Sequence, residues 1–97
     1  MSEWKKIVRI DGVNYCVKVS KMKNKKYTAY LMGEDNKLYQ PIHFGDKRYS
    51  HYKDKLGYYS NLDTNDKEQR QRYRQRHSKD NIDNKNTAGY WAYNYLW

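Results

Sequence analysis

The chain is poor in the residues that usually brace or punctuate a small protein, with one cysteine, one proline and one phenylalanine among 97 residues. A lone Cys16 closes no intrachain disulfide and builds no cysteine-based zinc site, which excludes a disulfide scaffold and points to a reducing compartment. Long apolar runs are also missing. No stretch approaches the roughly 18 residues needed to cross a bilayer. The opening Met1-Ser2-Glu3-Trp4-Lys5-Lys6 lacks the apolar segment of a signal peptide. The expectation is a soluble chain, made in a cytoplasm, with no membrane partner. Hydrophobic residues of all kinds make up only 37% of the chain, so aliphatic material for a core is scarce. At this length one domain is expected, because a second core would not offset the ordering entropy of its own backbone.

What is abundant is aromatic and basic. Twelve tyrosines and three tryptophans supply rigid rings that bury apolar area and keep a polar edge, a chemistry that serves cores and interfaces alike. Twenty Lys and Arg against eleven Asp and Glu give a formal charge of +9, which attracts nucleic acid, anionic membrane or acidic protein. For the N-terminal lysines simple surface solvation explains the charge equally well. The arginines are harder to dismiss in that way.

Residues 1–45 read as an antiparallel β-meander of about four strands. Lys6, Val8 and Ile10 alternate with Lys5, Ile7 and Arg9, as a strand with two different faces requires. Asp11-Gly12 suits a type I′ turn, since both central residues need positive φ, and Val13, Tyr15, Val17 and Val19 continue the period of two. A third strand carries Tyr27, Ala29 and Leu31, and Gly33-Glu34-Asp35-Asn36 turns the chain into a fourth from Leu38 to Phe44. Pro41 offers no amide hydrogen, which places that last strand at a sheet edge or where pairing ends.

Residues 46–62 show no clean period and read as an ordered loop pinned by Tyr49, Tyr52, Tyr58 and Tyr59. A basic helix within 63–79 is predicted to run from about Asn65 to His77, because Asp63, Thr64 and Asn65 offer caps and Asp66 and Glu68 meet its positive end. Tyr73 is its only sizeable apolar group, so something outside the helix must hold it. A polar linker from Asn81 leads to an aromatic tail, 87–97, in which Trp91 and Tyr95 share a face if helical. The fold class is therefore α+β, with the meander followed by the basic helix and a short aromatic C-terminal helix.

Several segments together resemble small uncharacterised proteins of large DNA viruses and tailed phages. They are His43-Phe44-Gly45, the loop tyrosines Tyr49 and Tyr52, Tyr73 through Arg76-His77, Thr87-Ala88-Gly89-Tyr90-Trp91, and the closing Leu96-Trp97. The likeness covers roughly the C-terminal half, in the same order and with similar spacing. This chain has Asn65-Asp66-Lys67 where the family usually has His-Lys-Asp, and Tyr93-Asn94-Tyr95 where the family is richer in Ser, Leu and Arg. The resemblance implies a viral or phage origin and brings no biochemical activity with it.

Arg70, Arg72, Arg74 and Arg76 alternate along the predicted helix, so at about 100° per residue they fan over two flanks and can reach phosphates or carboxylates on both. They are the candidate anion or partner contacts; a solvated face with Asp66 and Glu68 as terminal partners is the plainer reading. Tyr90, Trp91, Tyr95, Leu96 and Trp97 are the candidate partner-packing residues, with core packing and base stacking as the other uses of such rings. His43, Phe44, Gly45, Tyr73 and His77 form the structural motif, the histidines bonding loop carbonyls or tyrosine hydroxyls. His43, His51 and His77 fit no compact metal-ligand spacing. No nucleophile with a base and no paired carboxylates can be read, and Gly33, Gly45, Gly57 and Gly89 are spaced as turn formers. The sequence thus predicts no enzyme activity, cofactor, metal or small-molecule substrate. Two functions fit. One is a minor structural protein of the virion, an adaptor or cement-like subunit against larger capsid or portal-region proteins. The other is a nucleic-acid-binding protein packaged with the genome, its arginine helix on DNA.

Overall fold

The computed structural model describes residues 4–79 and 82–97. Met1 to Glu3, and Asn81 at the head of the polar linker, lie outside them. Four strands, β1 (Lys5–Ile10), β2 (Val13–Val19), β3 (Lys25–Met32) and β4 (Leu38–Asp46), form one antiparallel sheet in chain order, followed by α1 (Lys67–Arg76) and α2 (Ala88–Tyr95). This is the α+β meander with two helices expected from the periodicities.

The turn chemistry fixes the first hairpin. Asp11 and Gly12 have φ of 52° and 79°, the left-handed pair that a two-residue turn between twisted strands requires. That geometry sets Ile10 opposite Val13 and Val8 opposite Tyr15, and so sends Val8, Ile10, Tyr15 and Val17 to a single face. β4 is an edge strand, as Pro41 demands. Leu31 pairs with Tyr39 and Ala29 with Ile42, so Gln40 and Pro41 together stand opposite Tyr30, a bulge in which Gln40 takes φ 51°.

The scarcity of aliphatic side chains is made good inside the chain. Tyr15, Val17, Tyr27, Ala29 and Phe44 form the sheet's inner face, and Leu56, Trp91 and Leu96 close over them. Trp91 is the centrepiece. Its ring meets Tyr15 edge-on at 5.3 Å, stacks on Phe44 at 5.8 Å and on Tyr95 at 5.3 Å, and its indole N–H donates to the Lys85 carbonyl at 2.9 Å. Thr87 caps α2 by accepting from the Tyr90 amide. Trp91 and Leu96, expected to pack on a partner, are therefore core residues of this chain with no surface left to offer one.

One boundary and one anchor differ from expectation. α1 starts at Lys67 rather than Asn65, because Asp66 caps it by accepting from the Glu68 and Gln69 amides, while Asn65 takes φ 54° outside the helix. Within 46–62, Tyr49 and Tyr58 are 66% and 50% exposed, so tyrosines alone do not pin the loop. Buried His51 and Asp54 do that work: Asp54 accepts from the Tyr27 hydroxyl and from the amides of Leu56 and Tyr59, and His51 reaches Lys26 and Asp63. A short 3-10 turn at Ser60–Leu62 lies within this segment.

Candidate functional site

The motif segments meet at one end of the sheet. Gly45, with φ 76°, sits where a Cβ would lie 3.0 Å from Leu96 Cδ1 and 3.0 Å from Lys26 Cβ, so only glycine lets β4 pass this close to the C-terminal segment. Its neighbours have separate tasks. Phe44 is core, and His43 Nδ1 contacts the Thr28 hydroxyl at 2.7 Å. The His-Phe-Gly run is thus a structural device, with His43 bonded to a neighbouring strand rather than to a loop carbonyl.

Beside Gly45 opens a cleft of about 450 Å³, whose wall includes Tyr49 and Ser50 from the loop, Gln69, Tyr73 and Arg76 from α1, and Trp97. Tyr73 and Trp97 stack at 4.4 Å with planes 7° apart, and His77 lies 4.2 Å from the Tyr73 ring on the same helix. This stack is what the sequence required when it left α1 without an apolar stripe.

The arginines divide as their spacing predicts, and the two flanks do different work. Arg70 Nε and Arg74 Nε and Nη2 donate to the Trp97 main-chain oxygen at 2.9, 3.2 and 3.0 Å. Their guanidinium planes also cover rings, Arg70 over Tyr52 at 4.8 Å and Arg74 over Tyr93 at 4.5 Å. These two are internal ties. Arg72 and Arg76 are exposed and, among the described residues, make no hydrogen bond or ion pair. Lys55 adds to the basic character: burial first, then the nearby Arg74 and Arg70 charges, lower its pKa. Asp46, the acid on the cleft wall, is held at about 2 by hydrogen bonds from Arg48, and so is already partnered.

Below the cleft runs a buried relay that sequence reading missed. Lys26 Nζ donates to His51 Nδ1 at 2.8 Å, and His51 Nε2 donates to Asp63 Oδ1 at 2.6 Å, which also accepts from the Asp54 amide. Lys26 is 2% exposed and His51 0%. Desolvation lowers the Lys26 ammonium to about 8, and desolvation followed by the Lys26 charge lowers His51. The three residues come from β3 and from two points of an aperiodic loop, so no local spacing announces them. Their bonds fasten the loop to the sheet. Among the described residues, no group of three or more His, Cys, Asp or Glu side chains is placed to hold a metal ion. Nor is any described helix long and apolar enough to cross a membrane.

Of the expected packing residues, Tyr90, Tyr95 and Trp97 are half-buried and keep an exposed edge, whereas Trp91 and Leu96 do not. The chain matches no family model, and no curated protein or solved structure matches it significantly.

Proposed function

We propose that this chain is a non-enzymatic minor structural component of a virus or phage particle, an adaptor or cement-like subunit that docks on the acidic surface of a larger capsid or portal-region protein. One observation carries the reading: α1 presents Arg72 and Arg76 outward with no acidic partner among the described residues, beside an aromatic-walled cleft. Arginine in that setting favours bidentate carboxylate contacts over mere solvation. The cleft accepts a partner side chain, with exposed Tyr49 and the Tyr73–Trp97 stack on its wall. The viral assignment rests on the sequence resemblance, whose segments Gly45, Tyr49, Tyr73, Arg76 and Leu96-Trp97 all contribute to this one cleft.

A division of labour between the arginines supports binding over catalysis. Arg70 and Arg74 tie the helix to Trp97, so the backbone that carries Arg72 and Arg76 is already placed when a partner arrives, and only their side chains remain to be ordered. Mass spectrometry of purified particles, before and after genome release, tests the proposal. The chain at constant stoichiometry in both preparations supports it, and its absence from particles overturns it.

A further inference from the structure

A second surface, unrelated to α1, lies on the other side of the sheet. Because Trp4, Val8, Ile10, Tyr15, Val17, Tyr27, Ala29 and Phe44 turn to the core, the alternate positions face away from it. Register sets those positions in rows across the strands. Lys5 is opposite Lys18, Lys18 opposite Thr28, and Thr28 opposite His43. The next row runs Ile7, Cys16, Tyr30, and the one beyond it Arg9 and Asn14. Helix–sheet packing in the described residues runs through α2 and β4. Lys5, Ile7 and Arg9 are exposed, and Lys18, Tyr30 and His43 are half-buried.

Three features of this face are unusual together. Lys5 and Lys18 are direct cross-strand partners, an arrangement of like charges that weakens a sheet. By alternation Lys26 shares this face, buried like Cys16 and Thr28, and none of the outward strand residues Lys5, Ile7, Arg9, Asn14, Cys16, Lys18, Lys26, Thr28, Tyr30, Met32, Leu38 and His43 is an acid that would relieve that pair. An aromatic ring lies among the cations, with the Lys18 ammonium 5.9 Å over the Tyr30 centroid and Ile7 47% exposed in the same row. A solvated face needs neither the like-charge pair nor the apolar row.

We infer that the outer face of the sheet binds a single-stranded nucleic acid. Phosphates are received by Lys5 with Lys18 at one end and by Arg9 at the other, roughly 13 Å along β1 at about 3.3 Å per residue. Between them an unpaired base stacks on Tyr30 against Ile7, as the Lys18 ammonium turns from the ring to the phosphate. Single strands are favoured over a duplex because stacking on a side-chain ring needs the open face of an unpaired base, which a paired and stacked base does not offer. An acidic peptide supplies charge but no plane to match Tyr30.

The test is fluorescence anisotropy of the full chain with a labelled 12-nucleotide single-stranded oligothymidylate, competed by a duplex of equal length and by polyglutamate. Binding should weaken with salt, with a slope near −2 in log–log form if three phosphates are neutralised at about −0.7 each. The K5E/K18E variant should lose roughly tenfold or more in affinity and flatten the slope. Tyr30→Leu should lose about fivefold or more, in line with the loss of one stacked base. Arg72→Gln with Arg76→Gln should stay within about twofold. Thermal melts of each variant establish that it is folded. Several results overturn the inference: no binding by the native chain, competition by polyglutamate or duplex equal to that of the single strand, or loss of affinity in the α1 variant and not in K5E/K18E. None of them touches the particle proposal, which rests on α1 and is read by a different experiment.

Discussion

The ring of Tyr73 lies flat on Trp97, with centroids 4.4 Å apart and planes 7° from parallel, and this pair fastens the basic helix to the rest of the molecule. α1 contributes no buried residue. The Arg70 and Arg74 bonds to the Trp97 main-chain oxygen, and their guanidinium planes over Tyr52 and Tyr93, complete the attachment. An offset aromatic pair is worth about 0.5–1.5 kcal/mol beyond its buried area. Tyr73→Ala should therefore release the helix locally: amide hydrogen exchange should rise across 67–76 while the sheet amides stay protected. Uniform exchange in both regions would show that α1 is held by something else.

Trp91→Ala acts on the whole fold. The ring is fully buried and bridges Tyr15, Phe44 and Tyr95. Removing such a side chain costs about 3–5 kcal/mol, a large part of the roughly 5–15 kcal/mol that stabilises a typical domain. Urea unfolding should show a midpoint shifted strongly downward or no cooperative transition. A shift under 1 kcal/mol would mean the core closes without it.

Gly45→Ala and Gly12→Ala separate strain from space. Both residues have positive φ, but a Cβ at Gly12 meets nothing within 4 Å, whereas one at Gly45 meets Leu96 and Lys26 at 3.0 Å. Gly12→Ala should cost about 1 kcal/mol, from the left-handed backbone alone. Gly45→Ala should cost clearly more, as read in the same urea titration, and equal costs would remove the close approach from the account.

The buried relay makes stability depend on pH in two windows. His51 is shifted down, so as pH falls below about 6.5 the unfolded chain takes up a proton that the folded chain refuses, and stability is lost. Lys26 is lowered to about 8. Between that pH and its ordinary value the unfolded chain holds a proton the folded chain has released, so stability rises toward pH 10. Above that, Tyr27, whose burial and bond to Asp54 raise its pKa, stays protonated in the fold while unfolded tyrosine ionises, and the trend reverses. Urea titrations at pH 5.5, 7 and 9.5 should show the acid loss weakened in His51→Gln and the alkaline rise removed in Lys26→Met. Profiles parallel to the native one would assign the dependence to other groups.

The parts of the fold that were legible in the sequence are those governed by neighbours in the chain. Asp11-Gly12 dictated a hairpin, Pro41 an edge strand, and the run from Asp63 to Glu68 a helix start, although the cap is Asp66 rather than Asp63, Thr64 or Asn65. The loop anchor was not legible. Lys26, His51 and Asp63 are joined only by the folded path, and of the loop tyrosines Tyr52 and Tyr59 are half-buried while Tyr49 and Tyr58 are exposed, so rings alone do not anchor the segment. Among the arginines, the alternation foretold two flanks. That Arg70 and Arg74 face inward depends on where the Trp97 main-chain oxygen comes to rest, which no spacing within the helix encodes. The rings of the tail suit a core or a partner equally, and only the sheet's open inner face decides that Trp91 and Leu96 belong inside.

The central claim is that Arg72 and Arg76 form an outward ridge used to join a larger particle. Its most direct measurement is the number of copies of this chain per purified particle, compared between the native protein and the Arg72→Gln, Arg76→Gln variant. Both side chains are exposed and unpaired, so the variant should unfold within about 0.5 kcal/mol of the native chain. The account predicts that its copies per particle fall several-fold. Equal incorporation of the two proteins, or no native chain in the particles at all, would contradict it.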